Sequence, residues 1–118
     1  MKTIEIISIP VTDQARAKAF YLQLGFELIT EAPFAGGQQW IQLGFPGSSV
    51  SITLVTWFDN MPAGCINGLV IKTDNLTKEI EALTAKGISV GKIDETPWGK
   101  FAAVIDPDGN RLSLHGDH

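Results

Sequence analysis

Apolar residues recur along this chain with two periods, and the switches between them lay out its elements. Residues 3–11 are apolar except for Thr3, Glu5, Ser8 and Pro10, which predicts a strand covered on at least one face. Thr12 or Asp13 can then cap a helix, whose Ala17, Phe20, Tyr21 and Leu24 fall at i, i+3, i+4 and i+7 and whose end is Gly25. A short strand over 26–30 and a loop over 31–37, holding Pro33 and Gly36-Gly37, follow. Residues 38–45 alternate, with Trp40 and Gln42 on one side and Gln39, Ile41 and Leu43 on the other. Residues 50–57 do the same, Thr53, Val55 and Trp57 lying opposite Ile52 and Leu54.

The pattern then starts again. Residues 66–72 predict a strand, and Asp74 or Asn75 caps a helix with Leu76, Ile80 and Leu83 inward, Lys86 near its end and Gly87 after it. A strand over 88–93 and a loop over 94–99, with Pro97 and Trp98, lead into a last hairpin. Its strands cover 101–105 and 111–115, and its turn is Asp106-Pro107-Asp108-Gly109-Asn110. Trp40 to Phe101, Pro46 to Pro107 and Thr12-Asp13 to Thr73-Asp74 are all spaced by 61 residues. A period this long, present only twice, predicts internal pseudo-twofold duplication rather than a solenoid.

The expected fold is therefore α+β: two βαβββ modules with eight short strands and one helix on the outer face of each. Residues 1–58 form the first module, 59–65 a linker and 66–118 the second, together one domain. Each helix covers one sheet face and leaves the other bare, and a bare face must pack or bind something. Pairing the modules around a shared cleft meets that need.

Composition narrows the partners. The net charge of −4, with no basic cluster, argues against nucleic acid. No apolar run approaches a membrane span, and no basic stretch followed by a cleavable apolar segment marks export, so a cytoplasmic protein without membrane contact is expected. Cys65 is the only cysteine, which excludes an internal disulfide, and nothing in its surroundings supplies a base to make it a nucleophile.

The run Val11-Thr12-Asp13, Ala17, Ala19-Phe20-Tyr21 and Leu24-Gly25-Phe26, closing on Asp106-Pro107-Asp108-Gly109-Asn110, resembles the vicinal oxygen chelate superfamily. This is also called the glyoxalase/bleomycin-resistance/dioxygenase family. The resemblance spans essentially the whole chain and implies the duplicated fold. It also implies a range of activities: isomerases, dioxygenases, thiol transferases and metal-free proteins that sequester drugs. In metal-using members two strand positions per module supply the ligands. Carried over, those positions fall on Ile6 and Thr53 in module one and on Asn67 and Ser113 in module two. None is His, Asp or Glu. A divalent cation needs anionic or imidazole donors to offset the loss of its water, so no metal and no cofactor are expected.

Carrying the parity of those four positions along their strands predicts a cleft. Module one contributes Ile6, Ser8, Trp40, Gln42, Thr53, Val55 and Trp57. Module two contributes Asn67, Leu69, Phe101, Ala103, Ser113 and His115. Aromatic and aliphatic walls with a few neutral polar groups suit a small aromatic or hydrophobic molecule. The expectation is a metal-free binding protein, acting as a homodimer. Two alternatives stay open. One is a metal-dependent enzyme of the family, or an isomerase using His115 as its catalytic group. The other is a structural or regulatory subunit whose cleft is filled by its own side chains. Trp57 and Trp98, beside loops, also suit subunit contact.

Overall fold

The computed structural model describes residues 1–117. The duplication is plain: each half is strand, helix and three further strands, and each builds a four-stranded mixed sheet. In the first, β1 (Ile6–Pro10), β2 (Glu27–Pro33), β3 (Gln39–Gly44) and β4 (Ser51–Val55) stand in the order β1-β4-β3-β2. In the second, β5 (Leu69–Lys72), β6 (Asp94–Thr96), β7 (Gly99–Ile105) and β8 (Arg111–Gly116) stand as β5-β8-β7-β6. The first and last strands of each module run parallel, and the remaining neighbours are antiparallel.

Helix α1 (Gln14–Leu24) is capped by Asp13, whose carboxylate accepts from the Arg16 amide, and buries Ala17, Tyr21 and Leu24. Helix α2 (Leu76–Ala85) is capped by Asn75, which accepts from the Lys78 amide, and buries Leu76 and Leu83. These faces meet Ile9, Ile41, Leu43, Ile52 and Leu54 of one sheet and Ala102, Val104, Leu112 and Leu114 of the other in one core. Lys86 donates to the carbonyl of Gln23 at the end of α1, a cation on the negative end of another helix.

The two halves are latched through the last hairpin. Asp106, 4% exposed, accepts from the amides of Asp108 and Asn110 on one oxygen and from the Tyr21 hydroxyl and the Asn110 side chain on the other. Asn110 also donates to the Pro10 carbonyl and accepts from the Ile66 amide, so one buried amide ties the end of β1 to the start of the second half. Burial, and after it the charge and hydrogen bond of Asp106, push the Tyr21 hydroxyl far above its usual range, so it stays a donor. Thr12 adds two bonds to Asp108.

Three expectations need correction. Residues 88–93 do not form a strand: Val90 makes an isolated bridge to Val104, and Ile88 instead closes the end of α2 through the Leu83 carbonyl. The strand lies one step later, at Asp94–Thr96, within the stretch expected to be a loop. It is a polar edge strand, and its pairing comes from the turn that sets Thr96 opposite Gly99 rather than from hydrophobic alternation. Likewise β2 runs to Pro33, through half of the expected loop, because β3 continues to pair with it as far as Gln39. Pro33 is tolerated there because β2 is an edge.

The third correction matters most. The caps Asp13 and Asn75, like the terminal Gly25 and Gly87, are 62 residues apart, not 61. The extra residue enters at Gly68, which adopts φ 91 just before β5. A slip of one residue turns a strand over. Ser8 pairs with Thr53, but the residue paired with Ser113 is Val70, not Leu69.

The chain is also more open than its size requires. A compact 12.8 kDa monomer exposes roughly 6,300 Å2, whereas this chain exposes 7186 Å2. Its radius of gyration is 14.6 Å, against roughly 13.5 Å for a compact chain of this length.

Candidate functional site

On the first sheet, the face turned away from α1 is built by alternation. Gln42 lies across from Thr53, Thr53 across from Ser8, and Ser51 across from Ile6, so these side chains stand together. Their polar atoms form a directed chain. The Trp40 indole donates to Gln42 Oε1 at 3.3 Å, Gln42 Nε2 donates to Ser51 Oγ at 2.8 Å, and Ser51 Oγ donates to the Glu5 carbonyl at 3.2 Å. Ser8 and Thr53 share a further bond at 3.4 Å. Flipping the Gln42 amide would break two of these bonds at once, so the chain fixes the orientation of the Trp40 ring.

Above this floor the aromatics gather. The Trp57 and Trp40 rings lie near parallel, 20° apart with centroids 6.4 Å apart. Phe34 sits 4.6 Å from Trp57 and 5.9 Å from Trp40, and Phe58 6.2 Å from Trp57. Phe34 and Phe58 remain 42% and 45% exposed, so the cluster is packed against itself on one side and open on the other.

The second sheet carries a smaller aromatic face. Phe101 and His115 are directly opposite across β7 and β8, and their rings stack 11° apart at 4.5 Å. Ala103 and Ser113, the next pair on the same side, are half-buried. Val70 extends this face at 50% exposure. Trp98, 78% exposed, forms the tip of the β6–β7 turn, and its carbonyl meets His115 Nε2 at 2.9 Å.

Of the residues that alternation assigns to the cleft, Ile6, Ser8, Trp40, Gln42 and Thr53 stand together on the first sheet, with Trp57 just past the end of β4 beside Trp40, and Phe101, Ala103, Ser113 and His115 stand on the second. Thr53 and Val55 share a side and are each only 1% exposed, so both offer little contact surface within the chain. Leu69 lies on the opposite face, across from Leu112 and against the core. Asn67 precedes the strand and is exposed. Alternation passed over Ser51, although 51, 53 and 55 share a side. It could not find Phe34, which sits in an irregular turn with no periodicity to read.

Among the described residues, no ring contact or side-chain hydrogen bond joins the two faces within one chain. Among the described residues, every aromatic contact and side-chain hydrogen bond made by these site residues stays inside its own half. The side-chain links between the halves run instead through the latch and Lys86. A groove of about 650 Å3 beside that seam, lined by Phe20, Val90, Ile105 and Arg111, includes only Ala103 of the site residues. The rings and neutral polar groups converge on the sheet faces instead.

The sequence matches the Glyoxalase/Bleomycin resistance protein/Dioxygenase superfamily over residues 3–114. The chain belongs to that superfamily. Solved structures agree. The chain is similar to TnmS3, an antibiotic binding protein from Streptomyces sp. CB03234, at 36% identity, covering 100% of this chain and 98% of that one with a TM-score of 0.94. It is also similar to a glyoxalase/bleomycin resistance protein from the same organism, at 38% identity over 96% of this chain and 99% of that one, TM-score 0.86. A superfamily member from Sphaerobacter thermophilus DSM 20745 follows at 25% identity, 98% of both chains and TM-score 0.87. A search of curated proteins finds no match.

Metal-using members of this superfamily need donors at four strand positions, and here the donor set does not fit. Ile6 has no donor atom, the Thr53 hydroxyl already faces Ser8, and Ser113 is a neutral hydroxyl. The corrected register moves the remaining position from Asn67 to Gly68, which has no side chain. Among the described residues, no three His, Cys, Asp or Glu side chains lie together as a metal would need. None of their helices is long and apolar enough to cross a membrane.

Proposed function

We propose that this chain is a metal-free small-molecule-binding protein that holds a flat aromatic or hydrophobic ligand, and that it works as a homodimer. The observation that carries this reading is the half-open cluster of Phe34, Trp40 and Trp57 above a floor of mutually bonded neutral groups. Aromatic faces stack flat rings, each pair adding about 0.5–1.5 kcal/mol beyond area burial. The likeness to an antibiotic binding protein supports a toxic natural product as the ligand and sequestration as the action.

The dimer follows from the separation of the two faces. In this reading, the aromatic cluster of one protomer receives the Phe101–His115 face of its partner, and the ligand lies between them. The excess of exposed surface, roughly 900 Å2, is close to the ~800 Å2 that each partner buries in an ordinary stable interface. A second reading, a cleft closed by its own side chains, draws on the same contacts among Phe34, Trp40 and Trp57.

Fluorescence titration with planar hydrophobic compounds tells the two apart. Binding should change indole emission, and Trp57→Phe or Trp40→Phe should each weaken affinity by about 1–2 kcal/mol, or roughly five- to thirtyfold. The melting temperature of each variant separates lost contact from lost folding. If no compound binds below millimolar concentration, the self-filled reading takes over. A separate measurement addresses the metal. Elemental analysis of purified protein should find no stoichiometric Zn, Ni, Mn or Fe, and about one ion per chain surviving mild chelation would overturn the metal-free assignment.

A further inference from the structure

Resting on that reading, we propose that His115 is a preset hydrogen-bond acceptor in the site, and that the ligand class it selects is a planar aromatic carrying a hydroxyl donor. The Trp98 carbonyl has lone pairs and no hydrogen, so the contact at 2.9 Å requires His115 Nε2 to carry the proton. In the neutral ring Nδ1 then holds a bare lone pair. Among the described residues no donor is paired with it.

The ring has little freedom to change this role. It is stacked on Phe101, and the β6–β7 turn is pressed against it. Gly99 adopts φ 125, and a Cβ there would come within 2.7 Å of His115 Nε2 and 2.6 Å of the Gly116 carbonyl. Only glycine lets the turn come this close. Thr96 Oγ1 braces the same turn, accepting from the Trp98 amide and donating to the Gly99 carbonyl.

The polar groups of the first sheet are already bonded to one another. Gln42 uses both ends of its amide, Ser51 is bonded to Gln42 and Glu5, and Ser8 and Thr53 face each other. Lys72, opposite His115 on β5, is paired with Asp117 at 3.3 Å. A lone pair beside an aromatic face suits an approaching O–H. It repels a carboxylate and gives nothing to an ether.

The test has two arms. Nitrogen–proton multiple-bond NMR of the histidine rings, with His115 assigned by its loss in His115→Phe, should show the proton on Nε2 in the free protein. Titration with 2-naphthol and 2-methoxynaphthalene should then favour the hydroxyl compound by about three- to tenfold, the worth of one neutral hydrogen bond. His115→Phe keeps an aromatic stack on Phe101 but carries no acceptor, so the ratio of the two affinities should fall to about one whatever total affinity the variant keeps. Gly99→Ala retains the histidine but forces it from the Trp98 carbonyl, and it should lose the preference too. A proton on Nδ1, or a preference that survives His115→Phe, overturns the inference. If both compounds bind wild type equally, the role of His115 falls while the binding reading stands. If neither binds, the binding reading itself fails, and this inference with it.

Discussion

Replacing Asn110 by alanine is expected to cost about 3–5 kcal/mol of folding stability, near the upper end of what one substitution does. The side chain is fully buried and makes three bonds: it accepts from the Ile66 amide at 3.0 Å and donates to the Pro10 carbonyl at 2.9 Å and to Asp106 Oδ2 at 2.8 Å. Alanine is too short to replace any of them. It leaves a backbone donor and a backbone acceptor unpaired and removes one neutral donor from a buried carboxylate, each costing about 1–3 kcal/mol. Asn110→Asp should not rescue. It keeps an acceptor for Ile66 but sets a second carboxylate against Asp106. Denaturant unfolding at fixed protein concentration measures the effect, because a dimer's apparent stability moves with concentration. A loss below about 1 kcal/mol would mean that the amide is not what joins the halves. The latch would then rest on Tyr21 and Thr12.

The second large effect concerns where the ligand sits. Trp57→Ala removes the ring that touches Trp40, Phe34 and Phe58, and Phe101→Ala removes the stacking platform of His115. In a site built from both faces, each variant alone should lose about 2–3 kcal/mol of affinity, roughly thirty- to a hundred-and-fifty-fold. Mixed and allowed to exchange subunits, the two should recover binding. In a mixed dimer one site carries both lesions and the other carries neither. With random exchange about one quarter of all sites regain wild-type affinity. Isothermal titration of the mixture reads that fraction directly. No recovery after proven exchange would mean that the ligand is held within one chain, and the partner's role in the site would be withdrawn.

Much of this protein is written in local chemistry. Two helical stripes, two caps, paired glycines and two proline turns specify a duplicated βαβββ chain, because periodicity and turn geometry are properties of a few adjacent residues. Trp40, Gln42 and Thr53 could be assigned to one face for the same reason: their strands are regular and alternate without a break. The superfamily's missing metal donors were also legible, since Ile6 and Ser113 are what they are in any fold.

Other features depend on partners distant in sequence. Whether Leu69 or Val70 turns away from the core hinges on a single residue at Gly68. Two spacings, 61 and 62, were both present in the chain, and only the pairing of β5 with β8 chooses between them. The glycines at 25 and 87 carried the right spacing, but a strand's register is set by its neighbour, not by the helix after it. Strand β6 is polar and is held by its turn, so no hydrophobic alternation marks it. Phe34 reaches the tryptophans because β2 and β3 pair on into the stretch expected to be a loop. Asn110 looks like an ordinary turn residue until the fold brings Pro10 and Ile66, 100 and 44 residues away, to its two ends. The contact of His115 with the Trp98 carbonyl exists for the same reason, because that carbonyl belongs to a turn 17 residues away. Sequence specified the elements and their chemistry. Only packing decided which faces those elements turned toward one another, because facing is a relation between segments that no single segment contains.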